Sequence, residues 1–141
     1  MNIADLKSKI APLAEKYGLK LIVLFGSRAR GDERKKSDFD IAYLSSESIN
    51  FNEENKMAVD LYDILKTIDV DLVNLSHASP LLLKKIVEES AVLYEIEESL
   101  FNNLYLYAMR INRESEILNK LRRAYVINRV NQYKKDVAYI G

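Results

Sequence analysis

Two aspartates stand two residues apart in the apolar segment DFDIAYL, residues 38–44. The segment has the composition of a strand, so Asp38 and Asp40 should project from the same face, about 7 Å apart along the backbone. Two carboxylates held this close repel each other unless a cation lies between them. Hard oxygen ligands of this kind suit Mg²⁺ or Mn²⁺ that also touches substrate phosphates. The pair therefore predicts a divalent metal site.

A later strand-like segment, IDVDLVNL at residues 68–75, offers a third carboxylate. Asp69 and Asp71 are again two residues apart, and both have the parity to face the same ligand, so the spacing alone leaves either possible. Three carboxylates can hold two metal ions, one activating an attacking hydroxyl and one neutralising charge on a departing pyrophosphate. The acidic strands together predict phosphoryl-transfer chemistry.

A phosphate cradle is predicted where the buried run LKLIVLF, residues 19–25, stops at Gly26 and Ser27. Glycine lets the backbone come close to a phosphate, and the Ser27 hydroxyl with successive N–H groups can hold its oxygens. Arg28 and Arg30 follow at once and could pair with phosphate charge, although each could equally solvate the loop.

The elements around these residues alternate between helical and strand periodicity. An N-terminal amphipathic helix should end at Gly18, with Pro12 predicting a kink or two short helices. Strands are predicted at 19–25, 38–44, 68–75 and, as an edge, 91–96; helices at 53–67, from Pro80, and for some thirty residues from 97; and a basic loop at 28–37. This order predicts an α/β fold with a small mixed sheet flanked by helices and a long C-terminal helix.

Composition sets further bounds. The 141 residues suit one domain, which we divide into a core, 1–97, and a helical extension, 98–141, packed on the core or on a partner. The core carries 13 basic and 17 acidic side chains and the extension 8 and 4, so the net charge of zero argues against general nucleic-acid binding. The absence of cysteine excludes thiolate chemistry, and the lone His77 is interpreted as structural. No apolar run could span a bilayer, so the cytoplasm is expected.

The segment GSRARGDERKKSDFDIAYL resembles the G-S-x10-D-x-D signature of the minimal nucleotidyltransferases of the DNA polymerase β superfamily. The likeness is greatest to the small antitoxins of HEPN/MNT toxin–antitoxin pairs. The resemblance implies that Gly26 and Ser27 bind the triphosphate, that Asp38 and Asp40 chelate both metal ions, and that Asp71 is the third carboxylate.

The same resemblance implies an activity and a partner. The donor would be ATP, and AMP would pass to a tyrosine hydroxyl of a cognate HEPN ribonuclease toxin, which silences it. Two alternatives stay open: a non-catalytic antitoxin that neutralises the toxin by binding, and a transferase that modifies a small molecule such as an aminoglycoside. The short segment after the core disfavours the last, because drug-modifying relatives carry a large additional domain.

Overall fold

The computed structural model describes residues 2–31 and 38–140, with side chains as far as Ala138, so most of the predicted basic loop lies outside the described residues. The helices and strands, in chain order, are α1 (Ile3–Tyr17), β1 (Leu19–Phe25), β2 (Phe39–Ser45), α2 (Phe51–Leu65), β3 (Val70–Asn74), α3 (Pro80–Glu88), β4 (Ala91–Glu95) and α4 (Leu100–Ile140). A single 3₁₀ turn, Leu75–His77, separates β3 from α3. The predicted fold class is confirmed.

The four strands form one mixed sheet in the order β3-β2-β1-β4. The central strand β1 is antiparallel to both β2 and β4, whereas β2 and β3 run parallel. Parallel neighbours need a crossover, which α2 provides. This pairing places the start of β2 beside the start of β3, and it makes β4 the edge strand that the sequence predicts.

The two faces of the sheet carry separate cores because side chains alternate along each strand. On one face, β2 contributes Phe39, Ile41 and Tyr43 to a cluster with α1 and α2. On the other face, Ala42 joins a cluster with α3 and α4. Asp40 has the parity of Ala42, so its carboxylate belongs to the face that α3 and α4 cover.

The helix ends follow the signals in the sequence. Gly18 caps α1 with a left-handed backbone, the Asn50 side chain and Glu53 form a capping box on α2, and the Ser79 hydroxyl accepts from the Leu82 amide at 3.2 Å just before Pro80. The prediction of two short helices around Pro12 is wrong: α1 is one helix. Its buried side chains lie on both sides of Pro12, and their burial outweighs the about 3 kcal/mol that an interior proline costs.

The C-terminal helix α4 is longer than the predicted thirty residues, spanning 41. Its first three turns pack against α3, where Ala108 is fully buried and Asn112 is 7% exposed. From Glu116 to Ala138 every side chain is exposed. Across residues 2–31 and 38–140, no helix is long and apolar enough to cross a membrane.

Candidate active site

Two of the predicted metal ligands meet where β2 and β3 run side by side. Asp40 lies directly opposite Asp71 in the parallel pairing, so both carboxylates project from one face of the sheet. One step earlier the Phe39 amide donates to the Asp69 carbonyl oxygen at 2.9 Å, which fixes the register. Asp71 is therefore the direct neighbour of Asp40 across the strands, whereas Asp69 precedes β3.

The carboxylate of Asp40 lies within electrostatic reach of both other aspartates. The pKa of Asp40 is raised, first by burial and then by the negative charges of Asp71 and Asp38. Asp69 is not among these causes, which matches its position outside the strand. Asp40 is half-buried while Asp38 and Asp71 are exposed, so the cluster opens to solvent on one side. A cation placed there would remove the repulsion between the carboxylates.

The donor set suits Mg²⁺ or Mn²⁺, which prefer carboxylate oxygens. Within the described residues, however, no three acidic or histidine side chains already converge closely enough to hold an ion. Metal binding would require Asp38, Asp40 and Asp71 to rotate inward, and the exposure of the outer two leaves them room to do so.

Gly26 touches this cluster from the neighbouring strand. Phe25, the last residue of β1, is paired with Asp40, and Gly26 follows with φ of 77°, a conformation that favours glycine. A Cβ built on Gly26 would lie 2.1 Å from Asp40 Oδ2, so no other residue fits against this carboxylate as it stands. Ser27 follows Gly26 directly and is half-buried. The predicted phosphate cradle thus adjoins the predicted metal ligands.

Arg28 and Arg30, the two arginines that follow Ser27, make different contacts. Arg28 stacks on the Phe39 ring, with its guanidinium carbon 3.7 Å from the ring centre. The Phe39 side chain itself packs with the cluster of α1 and α2. Arg30 forms an ion pair with Glu89, at 2.8 Å between Nη1 and Oε2, just beyond the end of α3.

Glu89 is a neighbour of the cradle that no motif in the sequence indicates. It lies at the turn before β4, and β4 runs antiparallel to β1, so this turn comes close to the end of β1 where the cradle begins. Only the pairing of β1 with β4 brings it there, and no local pattern in the sequence indicates that pairing. His77 lies exposed in the 3₁₀ turn after β3.

A groove of about 820 Å³ lies on the opposite side of the sheet between α1 and α2. Its central polar groups are already satisfied by one another, since Lys16 and the Tyr17 hydroxyl both donate to Asp60 Oδ2, at 2.8 and 2.6 Å. Of its acidic side chains, Glu53 belongs to the capping box of α2 and Asp60 to the ion pair with Lys16, and no described glycine lines the groove. We therefore assign the candidate site to the carboxylate face.

Comparison with known proteins defines the class. The profile of the family described as polymerase beta, nucleotidyltransferase, matches residues 8–99. This span contains the cradle, every described strand and the aspartates Asp38, Asp40, Asp69 and Asp71. The chain belongs to this family and is a nucleotidyltransferase.

Individual members of the family show which proteins this chain resembles. The protein adenylyltransferase MntA of Aphanizomenon flos-aquae is 32% identical over 129 residues, which cover 84% of this chain and 86% of that protein. A relative from Methanocaldococcus jannaschii is 35% identical over 91 residues, 64% of this chain but 96% of its own length. A crystal structure of a toxin–antitoxin with AMP-PNP contains a chain that superposes with a TM-score of 0.72 at 26% identity, covering 86% of this chain and 98% of that one.

Proposed function

We propose that this chain is an antitoxin that transfers AMP from ATP to a tyrosine hydroxyl of a HEPN-type ribonuclease toxin. The observation that carries the proposal is the contact of Gly26 with the Asp40 carboxylate, itself in register with Asp71. A phosphate cradle and a metal-ligand cluster then occupy one place. The name of the Aphanizomenon relative supports a protein acceptor, and the AMP-PNP of the toxin–antitoxin structure supports ATP as donor.

Each residue has a distinct part in this reaction. Asp38 and Asp40 would hold both metal ions, and Asp71, which faces Asp40, would complete the set in preference to Asp69. The ions, when bound, supply charge neutralisation and an activated hydroxyl. Gly26 and Ser27 would hold the β- and γ-phosphates through backbone N–H groups and the hydroxyl.

The chemistry is a displacement at the α-phosphorus of ATP. The tyrosine oxygen of the acceptor forms a bond to that phosphorus as the bond to the oxygen bridging to the β-phosphate breaks. Pyrophosphate departs with the bond electrons, and the hydroxyl proton passes to solvent. The cradle would hold the β- and γ-phosphates and Asp40 the metal ions, so positioning and charge would supply most of the acceleration.

The direct test incubates the purified chain with the product of the adjacent gene, Mg²⁺ and ATP labelled at either the α- or the γ-phosphate. We expect label on that protein from α-labelled ATP alone, with release of pyrophosphate, and mass spectrometry should place AMP on a tyrosine. Chelation of the metal should abolish transfer. Neutralisation of the toxin without any label would instead support occlusion by binding, and label on an aminoglycoside would support a small-molecule acceptor.

The ion pair between Arg30 and Glu89 leads to a second prediction. Arg30 must leave Glu89 before it can contact a phosphate. A half-exposed ion pair of this kind contributes a free energy of up to about 1 kcal/mol, which the nucleotide has to overcome. The Glu89→Gln change should therefore lower the KM for ATP about two- to fivefold with kcat unchanged. Glu88→Gln, which removes the same charge one residue earlier and whose ion pair is with Lys84, serves as the matched control. An unchanged KM in Glu89→Gln together with an unchanged KM in Arg30→Ala would show that Arg30 does not bind the nucleotide.

A further inference from the structure

The outer part of α4, residues 116–140, projects from the body as a helix about 37 Å long. All of its described side chains, as far as Ala138, are exposed. The family profile ends at residue 99, one residue before α4 begins. The Methanocaldococcus relative, almost wholly contained in its match, leaves about a third of this chain without a counterpart. The projection thus lies outside the part of the chain that the family profile matches.

The projection is too apolar for a helix that stays in water. It carries nine large apolar side chains that are 46% to 71% exposed: Ile117, Leu118, Leu121, Tyr125, Val126, Ile127, Val130, Tyr133 and Val137. Most of the stability of a helix in a protein comes from the packing of its apolar side chains, and exposed apolar surface of this extent marks an interaction site. Another molecule should therefore cover it.

One face of the projection combines apolar and cationic groups. At 100° per residue, Leu118, Arg122, Tyr125, Arg129 and Tyr133 fall on one side of the helix. We call these five residues the docking face. Its two arginines are seven residues, or about 10.5 Å, apart, and they stand between apolar side chains. Apolar residues also flank the face on both sides, with Leu121 on one and Val126, Val130 and Val137 on the other.

We propose that the docking face binds the protein that receives AMP, through an apolar groove that presents two carboxylates spaced to meet Arg122 and Arg129. This inference rests on the proposed function for the identity of the partner. The charge agrees, since residues 98–141 carry eight basic and four acidic side chains. The position also agrees, because α4 packs on the same face of the sheet as Asp40, so a partner held along the projection lies on the carboxylate side.

A second copy of this chain is a poorer occupant. In a parallel, in-register pair each of the two arginines would face its own counterpart, and in an antiparallel pair centred on Tyr125 and Val126, Arg122 would face Arg129. Both arrangements bury like charges together, which costs several kcal/mol. A nucleic acid could satisfy the arginines, but phosphates would leave Leu118, Leu121 and the valines in water. A protein groove satisfies both kinds of group.

The test compares two double charge reversals in the full-length chain. R122E/R129E alters the docking face, whereas R113E/K120E makes the same charge change at the same seven-residue spacing on the opposite side of the helix. Affinity for the purified product of the adjacent gene is measured by calorimetry without ATP, and circular dichroism verifies that both variants remain helical. We expect R122E/R129E to weaken binding at least about 100-fold and R113E/K120E to change it less than about threefold.

The inference would be overturned if the two variants lost equal affinity for the partner protein, or if the unaltered chain did not bind that protein. It would also be overturned if R122E/R129E abolished self-association of the chain, or if this variant lost binding to a single-stranded RNA while it still bound the protein. Label transfer keeps this inference separate from the proposed function. If R122E/R129E alone loses binding while the unaltered chain transfers no label, the docking surface stands and the catalytic proposal fails. If both variants bind and transfer label as the unaltered chain does, the catalytic proposal stands and the docking surface fails.

Discussion

Replacing Asp40 by asparagine should lower the rate of AMP transfer by at least about 1,000-fold, because metal ions in such sites supply several kcal/mol of transition-state stabilisation. Asp40 is the proposed ligand with neighbours on all sides of the candidate site. It contacts the backbone of Gly26, faces Asp71 across the strands, and shares the field of Asp38. Single-turnover transfer of label at saturating ATP and Mg²⁺ measures the effect.

The same variant should be more stable than the unaltered chain, which distinguishes lost chemistry from lost folding. The pKa of Asp40 is raised by burial and by two neighbouring charges, so its ionised form is less favourable in the folded than in the unfolded chain. That cost is absent below both pKa values and present at neutral pH. Asparagine has no charge to titrate, so its Tm without metal should exceed that of the unaltered chain at pH 7 and match it more closely in acid.

Asp69 provides the matched control for this prediction. It is an aspartate of the same segment, two residues from Asp71, but it precedes β3 and does not contribute to the raised pKa of Asp40. Asp69→Asn should retain transfer within about threefold, whereas Asp71→Asn should approach the loss seen with Asp40→Asn. If Asp69→Asn were inactive and Asp71→Asn active, the assignment of the third carboxylate would be wrong.

The geometry of the acidic strands could be predicted from the sequence because it depends on local periodicity. Alternation along β2 sends Phe39 and Ile41 into one core and leaves Asp40 on the other face, as a period of two requires. The end of β1 at Gly26 follows from an abrupt loss of apolar residues. The choice between Asp69 and Asp71 could not be made, because it depends on the register between β2 and β3, which two separate segments fix together.

Long-range contacts explain the remaining differences between the predictions from the sequence and the structure. Arg30 meets Glu89 only because β4 joins the far side of β1. Arg28 meets the Phe39 ring because the end of β1 lies beside the start of β2. The length of α4 was underestimated for another reason. Its outer part packs on nothing described, so it lacks the steady apolar stripe on which a prediction of helix ends depends.

The second large effect is expected from Gly26→Ala, which should lower AMP transfer by at least about 100-fold while costing only about 1–2 kcal/mol of folding stability. A methyl group at Gly26 would come 2.1 Å from Asp40 Oδ2, and the nearest other atoms, Asp40 Cγ and Cβ, are at 3.1 and 3.4 Å. The carboxylate is the free end of a side chain, so it can rotate away cheaply. The rotation spares the fold but removes a metal ligand and narrows the cradle.

Gly18→Ala is the control that separates the loss of folding stability from the loss of AMP transfer. Gly18 also has a left-handed backbone, with φ of 63°, but an added Cβ there would meet no atom within 4 Å. Both alanine variants should therefore lose similar Tm, whereas only Gly26→Ala should lose transfer and weaken Mn²⁺ binding. If both losses act through the Asp40 carboxylate, the double variant Gly26→Ala with Asp40→Asn should be no less active than Asp40→Asn alone. Full additivity of the two losses would show that Gly26 serves the phosphates independently of Asp40.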